Sequence, residues 1–223
     1  MTSRFDAARR LSRSLAGLAL LVTVSALVSA GSARAAQNPP PSGRETAVLA
    51  GGCFWGMEDV FEKLKGVTEV VVGYSGGSAE TAHYETVSSG TTGHAESVKV
   101  TFDPARISYG TLLDVYFRVA HDPTERDRQG PDEGTQYRSA IFYSGEAQRR
   151  AALAAITTLS HAKAFSGPIV TEVVPLRAFY PAEEYHQHFA DRNPSYPYIV
   201  AIDAPKVAEL RTKFPQLLKQ ADE

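Results

Sequence analysis

One cysteine, Cys53, occurs among the 223 residues. That scarcity excludes an internal disulfide, a zinc site built on clustered cysteines and a dithiol pair cycling within the chain. Excess charge of one sign is also lacking, since 23 Lys and Arg face 25 Asp and Glu. With 22 % charged and 43 % hydrophobic residues, the chain is neither a basic nucleic-acid coat nor a wholly disordered polymer. Beyond Val28 no apolar run is long enough to cross a membrane. Whatever the thiol does, it does alone or with a group from outside.

The first 35 residues stand apart. Arg4, Arg9, Arg10 and Arg13 precede an apolar run from Leu15 to Val28, and Ala33-Arg34-Ala35 places small residues where a signal peptidase reads. This layout predicts a cleavable signal peptide over 1–35 and export to the periplasm or beyond; a mitochondrial transit peptide and a retained anchor are the alternatives. Cleavage there leaves 18 basic and 24 acidic side chains, a formal charge of −6. Such a surface has no general attraction for nucleic acid or anionic lipid. Residues 36–45, with Pro39-Pro40-Pro41, read as a flexible leader.

The rest predicts one domain over 46–215, with 216–223 as a tail. Thr46–Ala50 is a short apolar strand stopped by Gly51-Gly52. Phe54, Met57, Phe61 and Leu64 recur at helical spacing within 54–65. Strands follow over 67–74 and 95–102, the latter with Val98, Val100 and Phe102 on one side, and Ser108 caps a helix bearing Leu112, Leu113, Tyr116 and Val119. After an irregular stretch over 121–134, strands are expected at 137–143 and 169–174, and helices at 146–159, 182–189 and 205–214. This order predicts a two-layer α/β or α+β sandwich: a mixed or mainly antiparallel sheet with helices, and a ferredoxin-like core.

Cys53 lies in Gly51-Gly52-Cys53-Phe54-Trp55-Gly56, where the first strand should give way to the first helix. Helix amides and the helix dipole favour an anion there, so a stabilised, reactive thiolate is one expectation. A buried cysteine beside two core aromatics is the other.

A much stronger signal comes from G-C-F-W-G at 52–56, G-Y-S-G-G at 73–77, T-G-H-A-E at 92–96, H-D-P-T at 121–124, Q-G-P-D-E-G-T-Q-Y-R-S at 129–139 and A-E-E-Y-H-Q at 182–187. Together these resemble the peptide methionine sulfoxide reductase A family, from about Ala47 to Pro215. The resemblance implies reduction of methionine S-sulfoxide, free or in proteins, with Cys53 as nucleophile. It further implies Glu96 as the acid that assists the departing oxygen, and Tyr84 and Tyr137 as hydrogen-bond donors to that oxygen. Asp132 would orient substrate or water, while Phe54 and Trp55 would receive the methyl group. Tyr198 and His186 fall in the substrate-side segments.

By the same resemblance, many relatives carry a resolving cysteine after a C-terminal tyrosine; here Tyr198 is followed by Ile199. The sulfenic acid formed on Cys53 then needs an external thiol, supplied by a thioredoxin-like or glutaredoxin-like protein or a small thiol. No bound cofactor or metal is implied, and His186 and His188, two residues apart, do not share a helix face. Two rival readings remain. One is a cysteine hydrolase or acyltransferase pairing Cys53 with His94, His121 or His186; the other is a non-enzymatic methionine-binding module.

Overall fold

The computed structural model describes residues 43–220, so the expected signal peptide and most of the leader lie outside the described residues. In chain order the elements begin with β1 (Glu45–Ala50), α1 (Phe54–Glu62), β2 (Val67–Ser75), α2 (Tyr84–Val87), β3 (Ala95–Phe102) and α3 (Tyr109–Val115). They continue with β4 (Arg128–Gln129), β5 (Asp132–Glu133), β6 (Ala140–Tyr143), α4 (Glu146–His161), β7 (Glu172–Pro175), β8 (Tyr180–Pro181), α5 (Phe189–Arg192) and α6 (Ala204–Lys213).

Six strands form one sheet in the order β7-β6-β1-β3-β2-β8. Only β6 and β7 run parallel; the other neighbours are antiparallel. Helices pack on one face, giving the mixed, mainly antiparallel two-layer arrangement expected. Alternation assigns the faces. Ala47 and Leu49 of β1, Val70 and Val72 of β2, and Val98, Val100 and Phe102 of β3 join Phe54, Met57, Phe61, Leu112 and Leu210 in the main core. On the opposite face Val48, Ala50, Ala95, Ala140 and Phe142 are covered by Val174, Leu176 and Phe179.

Ser108 caps α3 as expected, its Oγ accepting the Thr111 N–H at 3.0 Å. The helix expected over 182–189 does not form. Only a 3-10 turn over Glu184–His186 is present, and α5 begins at Phe189 after a left-handed His188 at φ +51°. The Gln187 side chain explains the interruption. Its Oε1 accepts the Val72 N–H and its Nε2 donates to the Val72 carbonyl, both at 3.0 Å, so it completes the β2 ladder where a strand partner is missing. The strand expected over 169–174 starts three residues late, because the Val170 N–H is drawn to the Pro123 carbonyl at 2.8 Å. Tyr137 belongs to a 3-10 turn (Thr135–Tyr137) and not to β6. Near the C-terminus, the Lys65 N–H donates to the Leu217 carbonyl and the Lys219 N–H to the Lys63 carbonyl, fastening residues 217–219 to the α1–β2 connection.

Candidate active site

Cys53 is the N-cap residue of α1 and 8 % exposed. The glycines around it admit neighbours that a side chain would exclude. A Cβ at Gly52, whose φ is +92°, would stand 2.6 Å from Gln129 Cγ, and one at Gly56 would collide with the Asp203 carboxylate. The β4–β5 hairpin and the turn leading into α6 are thereby brought against the first turn of α1.

The acid beneath this turn comes from strand register. Glu96 shares its face of β3 with Val98, Val100 and Phe102, so a carboxyl occupies the end of a core stripe. It is 2 % exposed, and its Oε2 accepts the Phe54 N–H at 3.0 Å. Burial pushes its pKa up to about 8; the Phe54 bond opposes the rise, and the carboxylates of Asp132 and Asp203 add to it. Near neutral pH Glu96 is therefore mostly a neutral acid.

Of the two expectations for Cys53, a stabilised thiolate and a buried cysteine, the structure shows the buried one. Burial drives the Cys53 thiol well above its ordinary range, and the charges of Glu96 and Asp203 push the same way. The Trp55 N–H and the Lys206 ammonium pull it down without prevailing. The Phe54 N–H, another donor at the helix start, is taken by Glu96. The resting site holds a neutral thiol.

Cys53, Phe54, Trp55, Tyr84, Glu96, Asp132, Tyr137, Tyr196 and Tyr198 line one cavity of about 220 Å³. Tyr84 opens α2, anchored by its N–H to Glu183 Oε1 at 3.0 Å. Asp132 opens β5 and accepts a very short hydrogen bond from the Tyr198 hydroxyl. Burial raises the Asp132 pKa, with the Tyr198 bond and Lys206 opposing. Burial also raises the phenols of Tyr84, Tyr137 and Tyr198, so all three keep their protons. An aromatic wall is built around Trp55. Trp55 stacks on Phe189 at 3.8 Å and meets the edges of Tyr196 and Tyr198 at 6.2 and 6.1 Å.

Eight of the nine sequence-derived site residues thus converge. His186 is the exception: it is absent from the cavity lining and packs behind it, against Tyr84 at 4.6 Å and Phe54 at 5.0 Å. The 3-10 turn that replaces the expected helix puts its ring among aromatics, where it is 2 % exposed. Sequence reading missed Tyr196, which is 46 % exposed at the cavity, and Asp203, wholly buried behind it with Oδ1 accepting from Lys206 Nζ at 3.1 Å. Tyr196 had a signal in its place beside Tyr198 in the Pro-flanked segment; Asp203 had none.

His94 and His121 do not serve Cys53. His94 accepts the Gly77 N–H at 3.2 Å and meets the Ser78 carbonyl at 2.9 Å. His121 spans the Tyr116 carbonyl and Ser139 Oγ at 2.9 and 2.7 Å. With both nitrogens engaged, neither is placed as the base of a cysteine hydrolase.

Comparison with known proteins decides the family. The model of the family described as peptide methionine sulfoxide reductase matches residues 45–218. The chain belongs to the peptide methionine sulfoxide reductase A family. It is 54 % identical over 178 residues to a peptide methionine sulfoxide reductase of Mesorhizobium japonicum, covering 80 % of this chain and 91 % of that one. A counterpart from Synechocystis is 51 % identical over 177 residues, covering 79 % and 83 %. Among solved structures, the reduced form of Mxr1 from Saccharomyces cerevisiae superposes with a TM-score of 0.65 at 35 % identity, over 70 % of this chain and 89 % of that one. Methionine sulfoxide reductase A of Corynebacterium diphtheriae gives 0.61 at 35 % identity, over 71 % and 80 %. This member of the family is a one-cysteine, thiol-based peptide-methionine (S)-S-oxide reductase. Ile199, directly after Tyr198, is a buried hydrophobic residue, 3 % exposed.

Proposed function

We propose a division of labour among the cavity residues for the reduction of methionine S-sulfoxide. The methyl group rests against Phe54 and Trp55, and the sulfoxide oxygen faces Glu96 and the hydroxyls of Tyr84 and Tyr137. Cys53 sulfur attacks the substrate sulfur while Glu96 passes its proton to the oxygen; the Cys53 proton replaces the one Glu96 gives up. The hydroxyl then passes from the substrate sulfur to Cys53 as the transient sulfur–sulfur bond breaks, so methionine leaves reduced by two electrons and Cys53 holds the oxygen as sulfenic acid. Asp132 and Tyr198 tie the β4–β5 hairpin to the C-terminal segment and hold the cavity's shape. The observation that carries this reading is the buried, neutral Glu96 bonded to the amide that follows Cys53.

The second half of the cycle uses two external thiol equivalents. One forms a mixed disulfide with Cys53 and releases water, and the next restores the thiol. A thioredoxin-like or glutaredoxin-like protein, or a small thiol, fits this need, because Cys53 has no partner within the chain. The N-terminal pattern supports export, with the reductant drawn from the same compartment; N-terminal sequencing of the protein recovered from cell fractions tests that.

Steady-state turnover tests the whole reading. Each methionine formed should consume two thiol equivalents, and Cys53→Ser should abolish the reaction. Turnover without thiol consumption, or retained by Cys53→Ser, would overturn it.

A further inference from the structure

Glu58 and Glu62 stand one turn apart on α1, so their carboxylates leave the same side of the helix. His188, in its left-handed conformation just before α5, meets that side. Its Nδ1 lies 2.7 Å from Glu62 Oε1 and 3.7 Å from Glu58 Oε1. One donor atom from each residue falls within 4.8 Å of the others.

A simple His188–Glu62 ion pair accounts for part of this cluster and leaves the Glu58 carboxyl without a well-formed partner. Glu58 is 1 % exposed, and neither carboxylate oxygen makes a hydrogen bond of good geometry; the His188 and Phe189 N–H groups at the start of α5 ease its charge without offsetting its burial. Buried carboxyls are ordinarily paired, hydrogen-bonded or bound to a cation. The nearby Lys63 is committed elsewhere, to Asp59 at 2.9 Å and Asp191 at 3.0 Å.

We propose that Glu58, Glu62 and His188 form a binding site for a divalent transition-metal ion of the zinc type. The donor edges of 2.7 and 3.7 Å bracket the roughly 3.3 Å edge of a tetrahedron with zinc-like bond lengths, so small side-chain shifts close it. One imidazole with two carboxylates suits zinc better than magnesium or calcium, which prefer all-oxygen shells. Glu62 and His188 line a surface cavity of about 580 Å³, which gives the ion and a completing water their route. The site is structural: it clamps α1 to the segment bearing Phe189, which stacks on Trp55 at 3.8 Å in the active-site wall.

The test is zinc titration of the tag-free full chain carrying Cys53→Ser, which removes the thiol as a rival ligand. One zinc per chain is expected by calorimetry, with a rise in Tm that magnesium does not reproduce. His188→Asn, chosen because asparagine tolerates the left-handed backbone, and Glu62→Gln should each weaken zinc binding at least tenfold in that background and erase the Tm rise. Circular dichroism checks that both variants are folded. Failure of the folded parent to bind zinc at 1 mM, or affinity unchanged in both variants, would overturn the site and leave an ion pair beside a buried neutral acid.

Discussion

Oε2 of Glu96 accepts the backbone N–H of Phe54 at 3.0 Å, and that amide belongs to the residue directly after Cys53. A single hydrogen bond therefore fixes the acid relative to the nucleophile and occupies a donor at the helix start. The acid stays neutral, and so does the thiol, until a substrate brings an oxygen that can take the proton.

Glu96→Gln preserves an acceptor for the Phe54 N–H and removes the proton donor. The single-turnover rate should fall by roughly 10²–10⁴-fold, the usual worth of a positioned general acid. In the wild type that rate should decline as pH rises through about 8, where Glu96 loses its proton. The variant should lack that decline. A rate within threefold of wild type, measured by rapid quench, would remove Glu96 from the reaction.

The Cys53 thiol should titrate above the ordinary value of about 8.5. Alkylation rates measured across pH report this pKa whatever the accessibility of sulfur. Glu96→Gln should lower it, because a neighbouring negative charge is removed. A thiol titrating below 8 in the free wild-type enzyme would contradict the electrostatics described.

Tyr198→Phe removes the hydroxyl that Asp132 holds and keeps the ring edge against Trp55. The lost charge-assisted bond predicts a fall in kcat/KM of about 10-fold to 100-fold, with little change in fold. Steady-state kinetics with a peptide sulfoxide, beside thermal melts, separates this outcome from general destabilisation.

Gly56→Ala places a methyl group where the Asp203 carboxylate lies, with Lys206 Nζ 2.9 Å away. Destabilisation of about 1–3 kcal/mol is expected from the forced displacement. Denaturant unfolding measures it. A variant as stable as wild type would show that the α6 entry does not pack on α1 as described.

The parts of the fold set by local pattern were legible. Alternation marked β3 at its observed bounds, and Ser108 marked the start of α3. The segment over 182–189 was misread because its helical composition is overruled by Gln187, whose side chain completes the edge of β2 from 115 residues away. The cavity's members were read from motif resemblance, and eight of them meet; nothing local distinguished His186, which came from the same resemblance and packs behind them. The approach of Asp203 to α1, and of His188 to the Glu58–Glu62 pair, was invisible because tertiary packing brings those segments together. The state of the thiol stayed open between two readings because helix position was visible, whereas the depth of its burial and the nearness of Glu96 and Asp203 were not.

The central claim is that Cys53 alone takes the oxygen from methionine S-sulfoxide. Reductant-free single turnover with each sulfoxide epimer, followed by mass spectrometry of protein and product, tests it most directly. The account predicts about one methionine per Cys53 from the S epimer, a trappable sulfenic acid at Cys53, and neither product with Cys53→Ala. No methionine and an unmodified Cys53, in a protein shown to be folded, would contradict it.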